Sequence, residues 1–138
     1  MTERAKTGNT VSIAVYQDAS LPATKTFTNI PWFPGMTILQ AMVLAQAMYV
    51  GSFEFQVEYN SMYGAFVNQI DSTADKGTFY WLVQQNHVVA RVGVSEAIIF
   101  EGHPGQNVEI EWIYTDTSDS AGNPQVSRKL QAREVRNR

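Results

Sequence analysis

Residues Phe79–Val94 read FYWLVQQNHVVARVGV, and how this stretch is parsed decides most of the fold. Two runs rich in aromatic and β-branched residues, Thr78–Gln85 and Val88–Val92, flank Asn86-His87. Such runs separated by two turn-forming residues describe a β-hairpin. The same pair also invites a chemical reading. His87 is one of two histidines in the chain, and imidazole is a common acid, base and metal ligand.

Working outward, short strands dominate. Thr10–Tyr16 (TVSIAVY) alternates, with Val11, Ile13 and Val15 on one face, as a half-buried strand does. Thr24–Ile30 (TKTFTNI) reads as a second strand antiparallel to it, and Pro31, Pro34 and Gly35 mark a loop. Phe53–Tyr59 (FEFQVEY) alternates strictly, which sends Phe53, Phe55, Val57 and Tyr59 inward and Glu54, Gln56 and Glu58 outward. Ala65–Ile70, Ala97–Phe100 and Val108–Tyr114 are further strands, and Asp71–Gly77 is a polar loop. In Val108–Tyr114, the apolar Val108, Ile110 and Trp112 face inward, which leaves Glu109 and Glu111 as the solvent face.

One segment is helical. In Thr37–Met48 (TILQAMVLAQAM), Thr37 stands three residues before Gln40, the spacing of a capping box. The interior holds good helix formers and neither Gly nor Pro. Only Gln40 and Gln46 are polar after the cap, so the helix is expected to be buried on more than one side. Strand, strand, helix and then a run of antiparallel strands is an α+β arrangement, with a mixed or antiparallel sheet packed on one main helix. Residues 1–9 are expected to be a flexible start, 10–115 the domain, and 116–138 a polar, basic tail.

Composition narrows the function. The 138 residues fit one domain. The chain has no cysteine, which removes disulfides, thiol nucleophiles and thiolate metal sites. Residues 128–138 carry five basic side chains and one acidic, or +4. The other 127 hold five basic and twelve acidic, or −7. An acidic body excludes a phosphate-tracking groove, so no nucleic-acid partner is expected. Met1–Thr10 lacks the apolar core of a signal peptide, and no apolar run is long enough to span a bilayer. Neither a G-x-S-x-G elbow nor a glycine-rich phosphate loop before a helix occurs. His87 and His103 lie 16 positions apart with no third ligand marked by spacing, so no metal site is expected. Glu101 beside His103, or Asp71, would be the acids available to a histidine.

Aromatic residues are the stronger signal. Trp32, Phe33, Tyr49, Tyr63, Tyr80, Trp81, Trp112 and Tyr114 are many for one small domain. Alternation sends Tyr80 and Trp81 to opposite faces, so one of them should point away from the main core or be covered by something else, which marks a ligand or partner surface.

Ordered along the chain, YGAFVNQIDS (Tyr63–Ser72) and YWLVQQNHVVARVGVSEAIIFEGHPGQNVEIEWIY (Tyr80–Tyr114) resemble the transcobalamin-like C-terminal domain family. The resemblance rests on Tyr63-Gly64, Tyr80-Trp81, Asn86, Val92-Gly93, Gly102 and Val108–Tyr114, and on GMTILQAMVLA (Gly35–Ala45) as the helix opening. It implies a β-grasp-like domain, a sheet wrapped around one helix. In the cobalamin carriers of that family, this domain closes over one face of the corrinoid beside a separate helical domain. Bacterial relatives stand alone or belong to exported and surface proteins. Two departures are visible. His87 stands where the family tends to place glycine in an Asn-Gly turn, and the Gly-Asp turn is enlarged to Gly102–Asn107.

These readings converge on a small non-catalytic binding module for a bulky hydrophobic ligand, with a tetrapyrrole such as cobalamin or haem as the specific expectation. Trp32, Tyr63, Trp81, Asn86 and His87 are its candidate contacts. Two other readings stay open. One is a small isomerase or cyclase with an apolar pocket; the other is an assembly subunit, a homo-oligomer or a protein partner's module, joined through the apolar helix or the aromatics.

Overall fold

Alternation along Val11, Ile13 and Val15 is realised in β1 (Thr10–Tyr16), whose three aliphatic side chains are sealed from solvent. The computed structural model describes residues 9–90, 92–99 and 106–117, with every side chain but that of Asn60. After β1 come β2 (Lys25–Pro31), α1 (Ile38–Met48), β3 (Phe55–Asn60), β4 (Gly64–Ile70), β5 (Thr73–Ala74), β6 (Phe79–Gln85), β7 (Val88–Val89) and β8 (Asn107–Asp116). β1 pairs antiparallel with β2, as expected, and parallel with β8. β8 in turn pairs antiparallel with β6, which gives a mixed five-stranded sheet of order β2-β1-β8-β6-β7. A smaller antiparallel sheet follows the order β3-β4-β5. The architecture is α+β with one helix among the described residues.

One face of the large sheet makes the core. Val11, Ile13, Val15, Trp81, Val83, Val108, Ile110 and Trp112 join Ile38, Ala41, Met42 and Ala45 of α1 and Ala65, Val67 and Ile70 of β4 in a single cluster. The helix starts where the sequence says. The Thr37 hydroxyl accepts from Gln40 N at 3.2 Å, and Gln40 Oε1 accepts from Thr37 N at 2.9 Å. Its burial is narrower than expected, however. Val43 and Met48 are 51% and 44% exposed, because the buried stripe is 38-41-42-45, with Leu39 and Leu44 partly buried at its sides.

Four strand expectations need correction. Val88–Val92 shortens to the two residues of β7. Beyond it, Gly93 N donates to Tyr63 O and Val94 N to Ala65 O, so the chain leaves the large sheet for β4. Gly93 has no substitute there, since a Cβ would fall 2.3 Å from Ala65 O. Residues 97–99 form only an isolated bridge from Ile98 to Thr37. Their neighbourhood serves the helix instead. Ala97 O and Val94 O accept from Ile38 N and Leu39 N, two donors that have no partner within the helix. In β3 the register shifts between Gln56 and Val57, and such a bulge moves later side chains to the other face. Val57 and Tyr59 are therefore 41% and 72% exposed rather than inward. Finally β8 continues past the expected strand end at Tyr114, through Thr115 to Asp116, with Thr117 N bonded to Thr78 O. Residues 1–8 of the expected flexible start (1–9), residues 118–138 of the expected tail (116–138), and the candidates Glu101 and His103 lie outside the described residues. Among those described, no helix is long and apolar enough to cross a membrane.

Candidate functional site

Asn86-His87 is a hairpin turn and also part of a polar cluster. Gln85 pairs with Val88, so the loop has two residues. Asn86 and His87 both have positive φ, at 46° and 68°. That is the requirement of a type I′ turn, which Asn-Gly meets at least cost. Asn86 is tied to β8 twice. Its N–H donates to Glu109 O at 2.9 Å, and its Oδ1 accepts from Glu109 N at 3.0 Å. The non-glycine residue at the second position is held by a contact: His87 Nδ1 lies 3.1 Å from Glu111 Oε1.

The carboxylates belong to the large sheet's second face, opposite the core. Glu109 is half-buried and Glu111 only 7% exposed, so Glu111 is not the solvent-facing residue that alternation suggested. It keeps its burial by having partners. Gln84 Nε2 donates to Glu111 Oε1 at 2.8 Å, and His87 meets the same oxygen. Glu109 contacts Glu111 side chain to side chain. Ligand atoms of His87, Glu109 and Glu111 all lie within 4.8 Å of one another. Burial first, and then the Glu111 charge and hydrogen bond, push the Glu109 carboxyl above its ordinary range; His87 opposes this in part. Tyr16 is shifted upward by burial and then by the two carboxylates. The His87 ring itself is 77% exposed. An imidazole with one nitrogen held by a carboxylate and the other facing outward is oriented for a metal or a proton.

Beside this cluster runs an apolar groove of about 230 Å³, lined by Ala19, Leu82, Gln84, Val89, Ile113 and Thr115 among others. Gln84 belongs to both, since it lines the groove and binds Glu111. Near the other end of β6, a depression of about 440 Å³ is lined by Lys76, Gly77, Thr78, Phe79 and Tyr114. There the Phe79 and Tyr114 rings stack at 5.4 Å.

The five residues picked from sequence separate into groups. Asn86 and His87 are adjacent and exposed. Trp32 is half-buried and its indole N–H reaches Ile99 O at 3.5 Å; Gln85 Nε2 donates to the neighbouring Ile98 O. Trp32 thus shares a rim of the domain with the hairpin. Tyr63 stands in the other sheet's β3–β4 connection, with its carbonyl accepting from Gly93 N. Trp81 is a core residue. It is 1% exposed, packs against Tyr114 and donates from Nε1 to Thr73 O. As alternation requires, Tyr80 takes the opposite face from Trp81: it lies outside the main core, 8% exposed and covered in a separate cluster with Leu82. Glu109 and Glu111 were missed as partners of a histidine. Spacing gives no hint of them, because β8 is adjacent to β6 only in the folded sheet.

Comparison with known proteins extends the picture. No protein-family model matches the chain, and no curated protein matches it. Among solved structures the chain is similar to haptocorrin in complex with Cbi, at 20% identity and a TM-score of 0.58, over 79% of this chain. A related fold occurs in haptocorrin. The chain spans about a quarter of that protein, 26% of its length. A second structure, from Ruminococcus gnavus ATCC 29149 and described as a candidate metal-binding protein, is 12% identical, with a TM-score of 0.49 over 78% of this chain and 98% of that one.

Proposed function

We propose that this domain is a small-ligand-binding module that takes its ligand on the second face of the large sheet, where the apolar groove meets the Asn86-His87 turn. The observation that carries this reading is the continuity of the two features through Gln84, which lines the groove and holds Glu111 against His87. Binding sites commonly join apolar lining to a few convergent polar groups. At about 230 Å³ the groove is smaller than the ~300–1,000 Å³ of a site that encloses a drug-sized ligand. It suits one face or one edge of a larger molecule, whose remainder would rest against another wall.

A tetrapyrrole meets these conditions, and the fold shared with part of haptocorrin supports the choice. Such a cofactor would bring a metal that accepts an imidazole nitrogen. On this reading His87 supplies that nitrogen, Glu111 orients the ring from Nδ1, and Leu82, Val89 and Ile113 cover apolar edge. The β-grasp-like description, a sheet curved around α1, belongs to the same reading. Trp81 drops out of the contact set because it is enclosed in the core.

Absorbance titration with aquocobalamin and with haemin tests the idea, together with thermal melting of each mixture. A ligand at a hundred times its Kd should stabilise the fold by about 2.7 kcal/mol. The expected outcome is a Soret or corrin band shift with one of the two, lost in His87→Gln. If neither chromophore shifts and neither raises the melting temperature, the tetrapyrrole reading fails.

A further inference from the structure

We propose that His87, Glu109 and Glu111 form a binding site for a divalent transition-metal ion, independent of any macrocycle. Three residues of ligating type converge from one strand and a turn, with their ligand atoms inside 4.8 Å. The set is mixed, one imidazole and two carboxylates, which suits zinc or manganese. Metal–ligand bonds of roughly 2.0–2.2 Å at tetrahedral or octahedral angles put neighbouring donor atoms about 3.0–3.5 Å apart. His87 Nδ1 and Glu111 Oε1, at 3.1 Å, already have that separation. Glu109 is the half-buried member, with its carboxylate inside the same 4.8 Å cluster. Three protein ligands would leave outer positions to water or to a substrate.

Electrostatics points the same way. Glu109 and Glu111 bring two carboxylates into the same small cluster. Among the described residues, the cationic partner offered to this pair is His87 alone, and only when its ring is protonated. A dication would offset both negative charges at once. The framework is also fixed in advance. The two Asn86–Glu109 hydrogen bonds, one between backbones and one to the Asn86 side chain, pin the turn to β8, and Gln84 fixes the Glu111 carboxylate from the side. Tyr16 is the other titratable group close enough to sense both carboxylates.

The test is calorimetric titration of the intact chain with Zn²⁺, followed by the same titration of His87→Gln, Glu109→Gln and His103→Gln. One ion per chain is expected, with affinity lowered about tenfold or more by the first two changes, on the scale of losses around metal sites. His103→Gln should bind as the parent does. Ca²⁺, which seeks six to eight oxygen ligands, should not compete. Circular dichroism shows whether each variant keeps the fold; His87 and Glu109 are outside the core, so both should. Absence of saturable binding overturns the proposal. So does binding that survives both His87→Gln and Glu109→Gln, or that disappears only with His103→Gln. Glu109→Gln separates this site from the macrocycle reading, since it should weaken the ion and leave a chromophore shift in place.

Discussion

The two faces of β8 are built from alternate residues of one strand, yet they obey different rules. On one face Val108, Ile110 and Trp112 are at most 2% exposed and join the helix and both sheets in one core. On the other, Glu109 and Glu111 sit beside Gln84 and His87, half or fully buried and tied by hydrogen bonds. Side chains on the first face are fixed by volume. Those on the second are fixed by partners, because a buried carboxylate without partners is costly. The core face should therefore govern stability, and the polar face should govern binding while contributing little to stability.

The sharpest way to break that contrast is truncation on the core face. Trp81→Ala or Trp112→Ala should cost about 3–5 kcal/mol, measured as a lower urea midpoint with the slope unchanged. A cost below ~1 kcal/mol would mean that these indoles are not core. On the polar face, His87→Gly should stabilise the domain or leave it neutral. Glycine relieves a left-handed conformation that costs an L-residue about 1–2 kcal/mol, against the loss of a contact from a ring that is 77% exposed. The same change should lower Zn²⁺ affinity about tenfold or more. A gain in stability with a loss of binding is the pattern of a residue kept for function.

The smallest expected effect concerns pH. Glu109 has a raised pKa, so its folded form holds a proton more tightly than its unfolded form does. The stability it contributes is complete below the unfolded carboxylate value of about 4.3 and is lost as pH rises through the folded pKa. Glu109→Gln should thus raise the melting temperature at pH 7 by about 1–2 °C after allowance for solvent screening, and by nothing near pH 3. An equal gain at both pH values would assign the effect to something other than carboxylate repulsion.

Much of this was legible locally. The Thr37–Gln40 cap, the inward set of β1 and the Asn86-His87 turn are short-range patterns, and each was readable without knowing where other strands lay. Three features were not. The bulge in β3 reversed Val57 and Tyr59, and nothing in FEFQVEY marks the register shift. Trp81 went to the core because Thr73 O and Tyr114 wait there, both supplied by other strands. The His87–Glu111 contact depends on β6 lying next to β8, more than 20 residues further on. Alternation correctly put Glu109 and Glu111 opposite the core. It could not say that their face would be partly closed.

The parallel pairing of β1 with β8 also shapes how the molecule can form. Thr10 lies opposite Asn107, 97 positions later, at the centre of the large sheet. Closing a loop of that length costs about 4 kcal/mol of chain entropy before any contact offsets it. Until β8 is available, β1 and β2 with α1 have their apolar faces only partly covered, and β6 has no neighbour on one side. A sheet whose middle is assembled from its first and last described strands folds slowly and late. On a ribosome, it would wait for nearly the whole described chain.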